Sequence, residues 1–311
     1  MAFKFLVCLA FFSMFLTYLV HGVPTTPSLP SFNISQGDLL KYLGLPNFGH
    51  ILPALYVFGD SIIDAGNNNY LDTITRANYT PYGTDFGASQ PTGRYTNGRT
   101  VVDFIGSVST CWAAISPPVL GMSAAEVENT LTGVNYGSGS GGIQDLPPEP
   151  AHISGATAWV YIGSLDNNVI MQPNMLKSRN TYKSNTSCVE DINRRISYYN
   201  GLLPNMLAKL ENSLKGSTFV VCDLYRVFAD VYAQPAAYGF MNVSGFCCPD
   251  SAGNGTRGCA EGGVPCMDRE TIFYFDPFHP TEMVHFLWVR RFLLEDSLCS
   301  PYNLLKLIIQ L

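Results

Sequence analysis

The sequence predicts an α/β fold with a mostly parallel sheet, and three observations carry that prediction. Short apolar runs occur at Leu55 to Phe58, Ala158 to Ile162 and Ser217 to Cys222, each closing on a turn that carries polar residues. They lack the polar–apolar alternation of a strand with one wet face, which suits a parallel sheet buried on both faces. A helical pattern separates the last two, and such alternation argues for α/β layers with ligands outside the carboxyl ends of the strands.

The N-terminus reads as a targeting segment. Behind Lys4, Phe5 to Val20 are mostly apolar, and small residues follow at Gly22 and Val23. That is the layout of a cleaved secretory signal over residues 1–23. Ser13, Thr17 and Tyr18 interrupt the stretch too early for a membrane span. Residues 24–311 contain no low-complexity linker, charge run or repeat and are expected to form one domain.

Export has independent support. Eight of the nine cysteines lie beyond the signal, and Cys247, Cys248, Cys259 and Cys266 crowd into a Gly- and Pro-rich segment. Zinc sites usually show paired Cys-x-x-Cys half-sites, which this segment lacks, so disulfides in an oxidising compartment are favoured over a metal knuckle. Asn33, Asn78, Asn185, Asn242 and Asn254 each begin an Asn-x-Ser/Thr sequon, a candidate glycosylation site in a secreted chain.

The first apolar run leads into YVFGDSIID, which places Ser61 at the carboxyl end of a buried strand, where an open α/β sheet meets substrate. Two readings compete there: a nucleophile, or a turn in which Ser61 or Asp60 caps backbone N–H groups. Further on, VNYGSGSGGI contains G-x-G-x-x-G at Gly137, Gly139 and Gly142. A dinucleotide fingerprint must open a helix, and the sequel QDLPPEP cannot. A glycine-rich loop can instead bring a backbone N–H to a reacting oxygen, or be only a turn.

Between the second and third runs, Ser187 and Glu190 form a capping box. Val189, Ile192, Ile196, Leu203, Leu207, Leu210 and Leu214 then keep one face apolar until Gly216, with a kink expected at Pro204.

FYFDPFHPTE supplies the partner the serine needs. A hydroxyl is a weak nucleophile until a base takes its proton, and the base needs a group that fixes its tautomer. The Asp-x-x-His spacing lets Asp276 orient His279, although Asp276 could equally cap a helix beginning near Pro280. His50, His152 and His285 stand in no such Asp-x-x-His pair.

The chain ends in FLWVRRFLLED and YNLLKLIIQL, apolar stretches that arginines and Lys306 interrupt. They read as packed terminal helices, so no stable membrane anchor is expected. With 18 basic and 24 acidic residues, the formal charge of -6 offers no basic stripe to nucleic acid.

From about Ala54 onward the chain resembles the plant GDSL esterase/lipases of the SGNH hydrolase superfamily. ALYVFGDSIIDAGNNNYL, PYGTDFGASQPTGRYTNGRTVVDFI, GVNYGSGSGGI, YIGSLDNN and FDPFHPTE stand in the family's order. The resemblance implies a flavodoxin-like three-layer α/β/α sandwich, secretion, and hydrolysis of small carboxylic esters or lipids with no cofactor and no metal. It assigns Ser61 as nucleophile, His279 as base and Asp276 as its orienter. The oxyanion hole would use the N–H groups of Ser61 and Gly139. Where the family has Gly-x-Asn-Asp, this chain has Gly163, Ser164, Leu165 and Asp166, and Asn167 or Asn168 is the candidate for the third donor. One strand–helix unit of the family is expected to be missing, because only Val169 to Ser187 separate Asn168 from Cys188. Ile63 stands where the last glycine of Gly-x-Ser-x-Gly would be, so an α/β-hydrolase elbow is not indicated.

Two functions follow from these residues. One is a secreted serine ester hydrolase working through an acyl-enzyme. The other is a secreted glycoprotein of the same fold that binds esters without turning them over.

Overall fold

A computed structural model describes residues 35–45, 54–109, 115–130, 133–141, 157–160, 190–214, 218–249, 251 and 258–310. The expected signal, Asn33, Asn185, Asn254, Leu165, Asn167 and Asn168 lie outside the described residues.

The chain enters through helix α1 (Gln36–Tyr42). Ser35 Oγ caps it by accepting the Asp38 N–H at 3.1 Å, and Leu39, Leu40 and Leu43 enter the core. Strand β1 (Leu55–Phe58) follows, then α2 (Val101–Ser109) and α3 (Ala124–Asn129). β1 pairs in parallel with β2 (Thr157–Val160). On its other side Val57 donates to Val134 O at 3.0 Å and accepts from Tyr136 N at 2.7 Å. β1 is therefore an interior strand, and the segment running into the glycine-rich loop is its parallel neighbour.

Helix α4 (Glu190–Ser213) runs on through Pro204, and Ser187 of the expected capping box lies outside the described residues. Its apolar face is covered less than the sequence pattern predicts. Leu203 and Leu207 are half-buried, while Leu210 and Leu214 are exposed. The third apolar run also departs from expectation. Only Val221–Cys222 form strand, β3, because Asp223 at once caps α5 (Leu224–Ala233) by accepting the Arg226 N–H. β3 pairs antiparallel with β6 (Cys299–Ser300), where Cys222 and Cys299 face each other and are joined by a disulfide. β4 (Asn242–Phe246) and β5 (Ile272–Tyr274) form a second parallel pair. Among the described residues the named strands pair two by two, and the segment at Asn135 adds a third neighbour beside β1.

Two further disulfides, Cys247–Cys266 and Cys248–Cys259, staple the segment for which disulfides were favoured over zinc. No group of three or more His, Cys, Asp or Glu side chains among the described residues could hold a metal ion. The long-range Cys222–Cys299 link closes 77 residues of sequence separation, worth about 4.5 kcal/mol of unfolded-state entropy on the chain-entropy treatment. Asn78 and Asn242 are exposed, as a modified asparagine must be.

The terminal helices are packed. In α6 (Glu282–Leu294) residues from every face are buried, which makes it the central helix of the core. Phe286, Trp288, Val289 and Phe292 meet Phe104, Phe228 and Phe273 around it. α7 (Leu304–Gln310) adds Leu304, Leu307 and Ile308. No helix among the described residues is long and apolar enough to cross a membrane.

α6 also buries polar groups, two of which pair with the segment at 99–101: Glu282 pairs with Arg99, and His285 Nδ1 accepts the Val101 N–H at 3.2 Å. Burial pushes the His285 imidazole down to about 3, against a countering pull from Asp103. Its folded pKa thus lies below the unfolded value, and the unfolded chain takes the proton first. Stability from this site is full above about pH 6.5 and is lost toward pH 3, with a slope of about 1.4 kcal/mol per pH unit. Denaturant unfolding between pH 7 and 4 should show this slope, and His285→Gln, which keeps an acceptor for Val101, should flatten it by about one proton.

Candidate active site

The site is built where two neighbouring parallel segments end. After β1 the chain turns at Gly59 and Asp60, and Asp60 Oδ1 accepts the Ile62 N–H at 2.9 Å. Asp60 therefore does the capping that sequence allowed for either residue. Ser61 Oγ instead lies 2.8 Å from His279 Nε2. No described residue accepts its backbone N–H.

His279 sits in a turn that Asp276 holds from inside. Asp276 Oδ1 accepts the N–H groups of Phe278 and His279, both at 2.7 Å, and the carboxylate grips His279 Nδ1 at 2.9 and 2.7 Å. α6 begins only at Glu282, with Thr281 at its N-cap, so Asp276 is not a helix cap and its carboxylate is engaged by the His279 turn and ring. Ser61, Asp276 and His279 are all buried. The three residues proposed from sequence thus form one continuous chain of hydrogen bonds.

The histidine turn is anchored from the PTGRYTNGRT segment. Thr96 Oγ1 donates to Pro280 O at 2.9 Å, Asn97 Oδ1 accepts the Glu282 N–H at 2.8 Å, and Arg99 pairs with Glu282. Arg94 holds the other side of the site. It binds both oxygens of Asp103 at 2.8 Å in a bidentate pair and donates to Ala65 O at 3.2 Å, so it ties α2 to the Ser61 loop. Gly66, at φ +120°, packs its Cα against the Thr92 carbonyl, where any side chain would collide.

Three asparagines weld the Ser61 loop to the glycine-rich loop. Asn67 Nδ2 donates to Asn135 O and Gly137 O at 2.8 Å, and Asn135 Nδ2 returns to Ile63 O at 2.7 Å. Asn68 Nδ2 reaches Gly139 O at 3.0 Å while its Oδ1 accepts from Ser138 Oγ. Asp64, buried beneath them, accepts the N–H groups of Gly66 and Asn67 at 2.7 Å. Burial still raises its carboxyl above the usual range.

Asp64 also corrects the oxyanion assignment. The Gly139 N–H donates to Asp64 Oδ2 at 3.0 Å, so that donor is engaged in the loop's own scaffold. Gly139 is glycine for a different reason, since a Cβ there would meet Tyr95 Oη and Asn68 Nδ2. Asn167 and Asn168, the candidates for the third donor, lie outside the described residues.

Aromatic rings enclose the imidazole. Tyr95 lies 4.9 Å from the His279 ring and Phe278 6.1 Å. The Tyr95 hydroxyl donates to Thr75 O, and burial first, then the Asp64 charge, raises its pKa, so it stays protonated. Sequence reasoning missed Asp64, Asn67, Asn68, Tyr82 and Tyr95. The run of asparagines in DAGNNN, beside a strand-end serine, was the available signal.

A cavity of about 310 Å³ lies elsewhere, between α4, β3 and β6, and is lined by Asn200, Leu203, Asp223 and Ser300 among others. Its lining contains no histidine beside a hydroxyl or thiol.

A serine, an imidazole and a buried carboxylate in series at the strand ends of an α/β fold form the constellation of serine hydrolases. Comparison with known proteins agrees. Residues 147–292 match the family described as GDSL-like Lipase/Acylhydrolase. The chain is 30% identical over 315 residues to GDSL esterase/lipase 7 of Arabidopsis thaliana, covering 75% of this chain and 85% of the relative. It is 30% identical over 348 residues to GDSL esterase/lipase At3g50400 (82% and 91%) and 28% over 392 to GDSL esterase/lipase At1g71691 (96% and 97%), both from the same plant. The chain belongs to the plant GDSL esterase/lipase family of the SGNH hydrolase superfamily. These alignments are longer than the matched parts of a 311-residue chain can fill, so the relatives carry residues with no counterpart here.

Proposed function

We propose that the protein is a secreted serine ester hydrolase of the GDSL class, acting on small carboxylic esters or lipids through an acyl-enzyme. The observation that carries this reading is the unbroken Ser61–His279–Asp276 chain, with 2.8 Å at the nucleophile and 2.7 Å at the orienter. His279 Nε2 takes the Ser61 proton as Oγ attacks the acyl carbonyl. Asp276 holds the Nδ1–H tautomer and balances the imidazolium that forms. The protonated imidazole then gives its proton to the leaving alcohol. In the second half it activates water, which releases the acid and frees Ser61. The Ser61 N–H, free of a described acceptor, is the oxyanion donor, and Asn167 or Asn168 is the candidate for a further one.

Residues 24–311 are inferred to be one flavodoxin-like α/β/α sandwich shortened by a strand–helix unit. The exposed second half of α4 and the longer relatives support the shortening. Three disulfides support passage through an oxidising compartment, with residues 1–23 as the signal. Asn78 and Asn242 are the sequons placed to accept glycans.

The test is hydrolysis of short-chain p-nitrophenyl esters by the purified, folded protein, with turnover expected. A folded but inert protein would favour the second reading, a binding protein with a degenerate site. The engaged Gly139 N–H and Leu165, in the family's asparagine position, favour it. In that case Leu165→Asn should raise activity by roughly 100-fold or more, the worth of one oxyanion donor.

A further inference from the structure

We infer that Tyr82 is a positioning residue of the active site: its hydroxyl fixes the Asp276 carboxylate, and the Cys248–Cys259 disulfide holds the Cys259 backbone N–H that aims that hydroxyl. The inference rests on the hydrolase reading above and extends it to groups that touch no substrate.

The direction of the hydrogen bonds is determined by chemistry. Tyr82 Oη lies 2.6 Å from Asp276 Oδ2 and accepts the Cys259 N–H at 3.2 Å. A peptide N–H can only donate, and a carboxylate can only accept. The hydroxyl is therefore used in both senses, and its single proton goes to Asp276. Tyr82 is buried, and burial, followed by the Asp276 charge, pushes its pKa well above the ordinary tyrosine value. It remains a donor at every working pH.

This matters because Oδ2 is the oxygen nearest His279 Nδ1. The backbone donors of Phe278 and His279 both go to Oδ1, so Tyr82 is the side chain that fixes the Oδ2 side of the carboxylate plane. Without it, rotation of the carboxylate is restrained at one oxygen only, and the orienting bond to the base loosens.

Tyr82 is itself clamped from two directions. Its ring packs edge-on against Tyr79 at 5.3 Å and Phe275 at 5.8 Å, the latter next to Asp276 in sequence. Cys259 is linked to Cys248, whose N–H donates to Phe275 O at 2.8 Å. The disulfide thus closes a short circuit from the Asp276 segment through Cys248 and Cys259 to the Tyr82 hydroxyl. Gly258 completes the fit, since a Cβ there would stand 2.5 Å from Tyr82 Oη.

Tyr82→Phe deletes the donor and keeps the ring. A hydrogen bond to a charged group of this kind predicts a fall in kcat of about 10- to 100-fold on p-nitrophenyl butyrate, with KM within about twofold. Gly258→Ala, which crowds the hydroxyl without altering Tyr82, should lower kcat in the same direction. The proton resonance of His279 Nδ1–H, recorded by NMR in Ser61→Ala and in Ser61→Ala/Tyr82→Phe, should move when the hydroxyl is removed. Folding is checked by thermal unfolding of each variant. Unchanged kcat and an unmoved resonance in folded Tyr82→Phe would make Tyr82 a packing residue and overturn the inference. An inert parent protein would instead count against the hydrolase reading, and the resonance would still decide whether Tyr82 orients the Asp276–His279 pair.

Discussion

Replacing Ser61 by alanine is expected to lower kcat for ester hydrolysis by about 10⁵-fold or more, with thermal stability nearly unchanged. The size follows from the chemistry removed. Without Oγ no acyl-enzyme forms, and His279 has only water to activate. What survives is binding and the oxyanion donors, and the donor set is thin when Gly139 already serves Asp64. The small effect on folding follows from the structure. Ser61 Oγ contributes a hydrogen bond to His279 and no backbone cap, since Asp60 supplies the turn's Asx contact. Steady-state kinetics beside a melting curve separates the two effects. A Ser61→Ala protein that unfolds early would show that Oγ has a structural duty not visible in its contacts.

Asp276→Asn is expected to cost about 10⁴-fold in kcat, through the tautomer and not through lost bulk. The side-chain amide has one acceptor oxygen. The N–H groups of Phe278 and His279 both require it, because Asp276 Oδ1 accepts them at 2.7 Å. The NH₂ must then face His279 Nδ1, which becomes an acceptor and moves the ring proton to Nε2. A protonated Nε2 cannot take the Ser61 proton. The same NH₂ would also confront the Tyr82 hydroxyl, which loses its carboxylate. Asp276→Ala should be no worse in kcat but less stable, because it also leaves the buried His279 N–H and the half-buried Phe278 N–H without an acceptor, at about 1–3 kcal/mol for the buried one. Ester kinetics with chemical unfolding of both variants checks this ordering.

Much of the candidate site's geometry was legible in the sequence, because strand-end position and close spacing are local properties. An apolar run ending in GDS placed Ser61, and an Asp three residues before a His placed the pair. The rest depends on contacts that no spacing encodes. Tyr82 meets Asp276 across 194 residues of sequence, and Asp64 meets Gly139 across 75. The glycine-rich loop could be recognised, but which way one peptide faces is set by its neighbours. Gly139 turned toward Asp64, and its glycine serves close packing against Tyr95. The apolar run at Ser217 to Cys222 reads as a longer strand, yet the Asp223 cap and the bond between Cys222 and Cys299 cut it to two residues with an antiparallel partner. The pattern on α4 marks an apolar face, but burial depends on what lies opposite. Leu210 and Leu214 are exposed where a further layer would cover them.

The most direct test of the central claim is covalent trapping. The folded protein is incubated with a p-nitrophenyl alkylphosphonate, and the modified peptide is mapped by mass spectrometry. One phosphonyl group on Ser61 is predicted, formed with loss of p-nitrophenol, and it should be absent from His279→Ala, whose serine has no base. A protein that hydrolyses esters yet carries the label on another residue, or reacts equally well without His279, would contradict the assignment of Ser61 as the activated nucleophile.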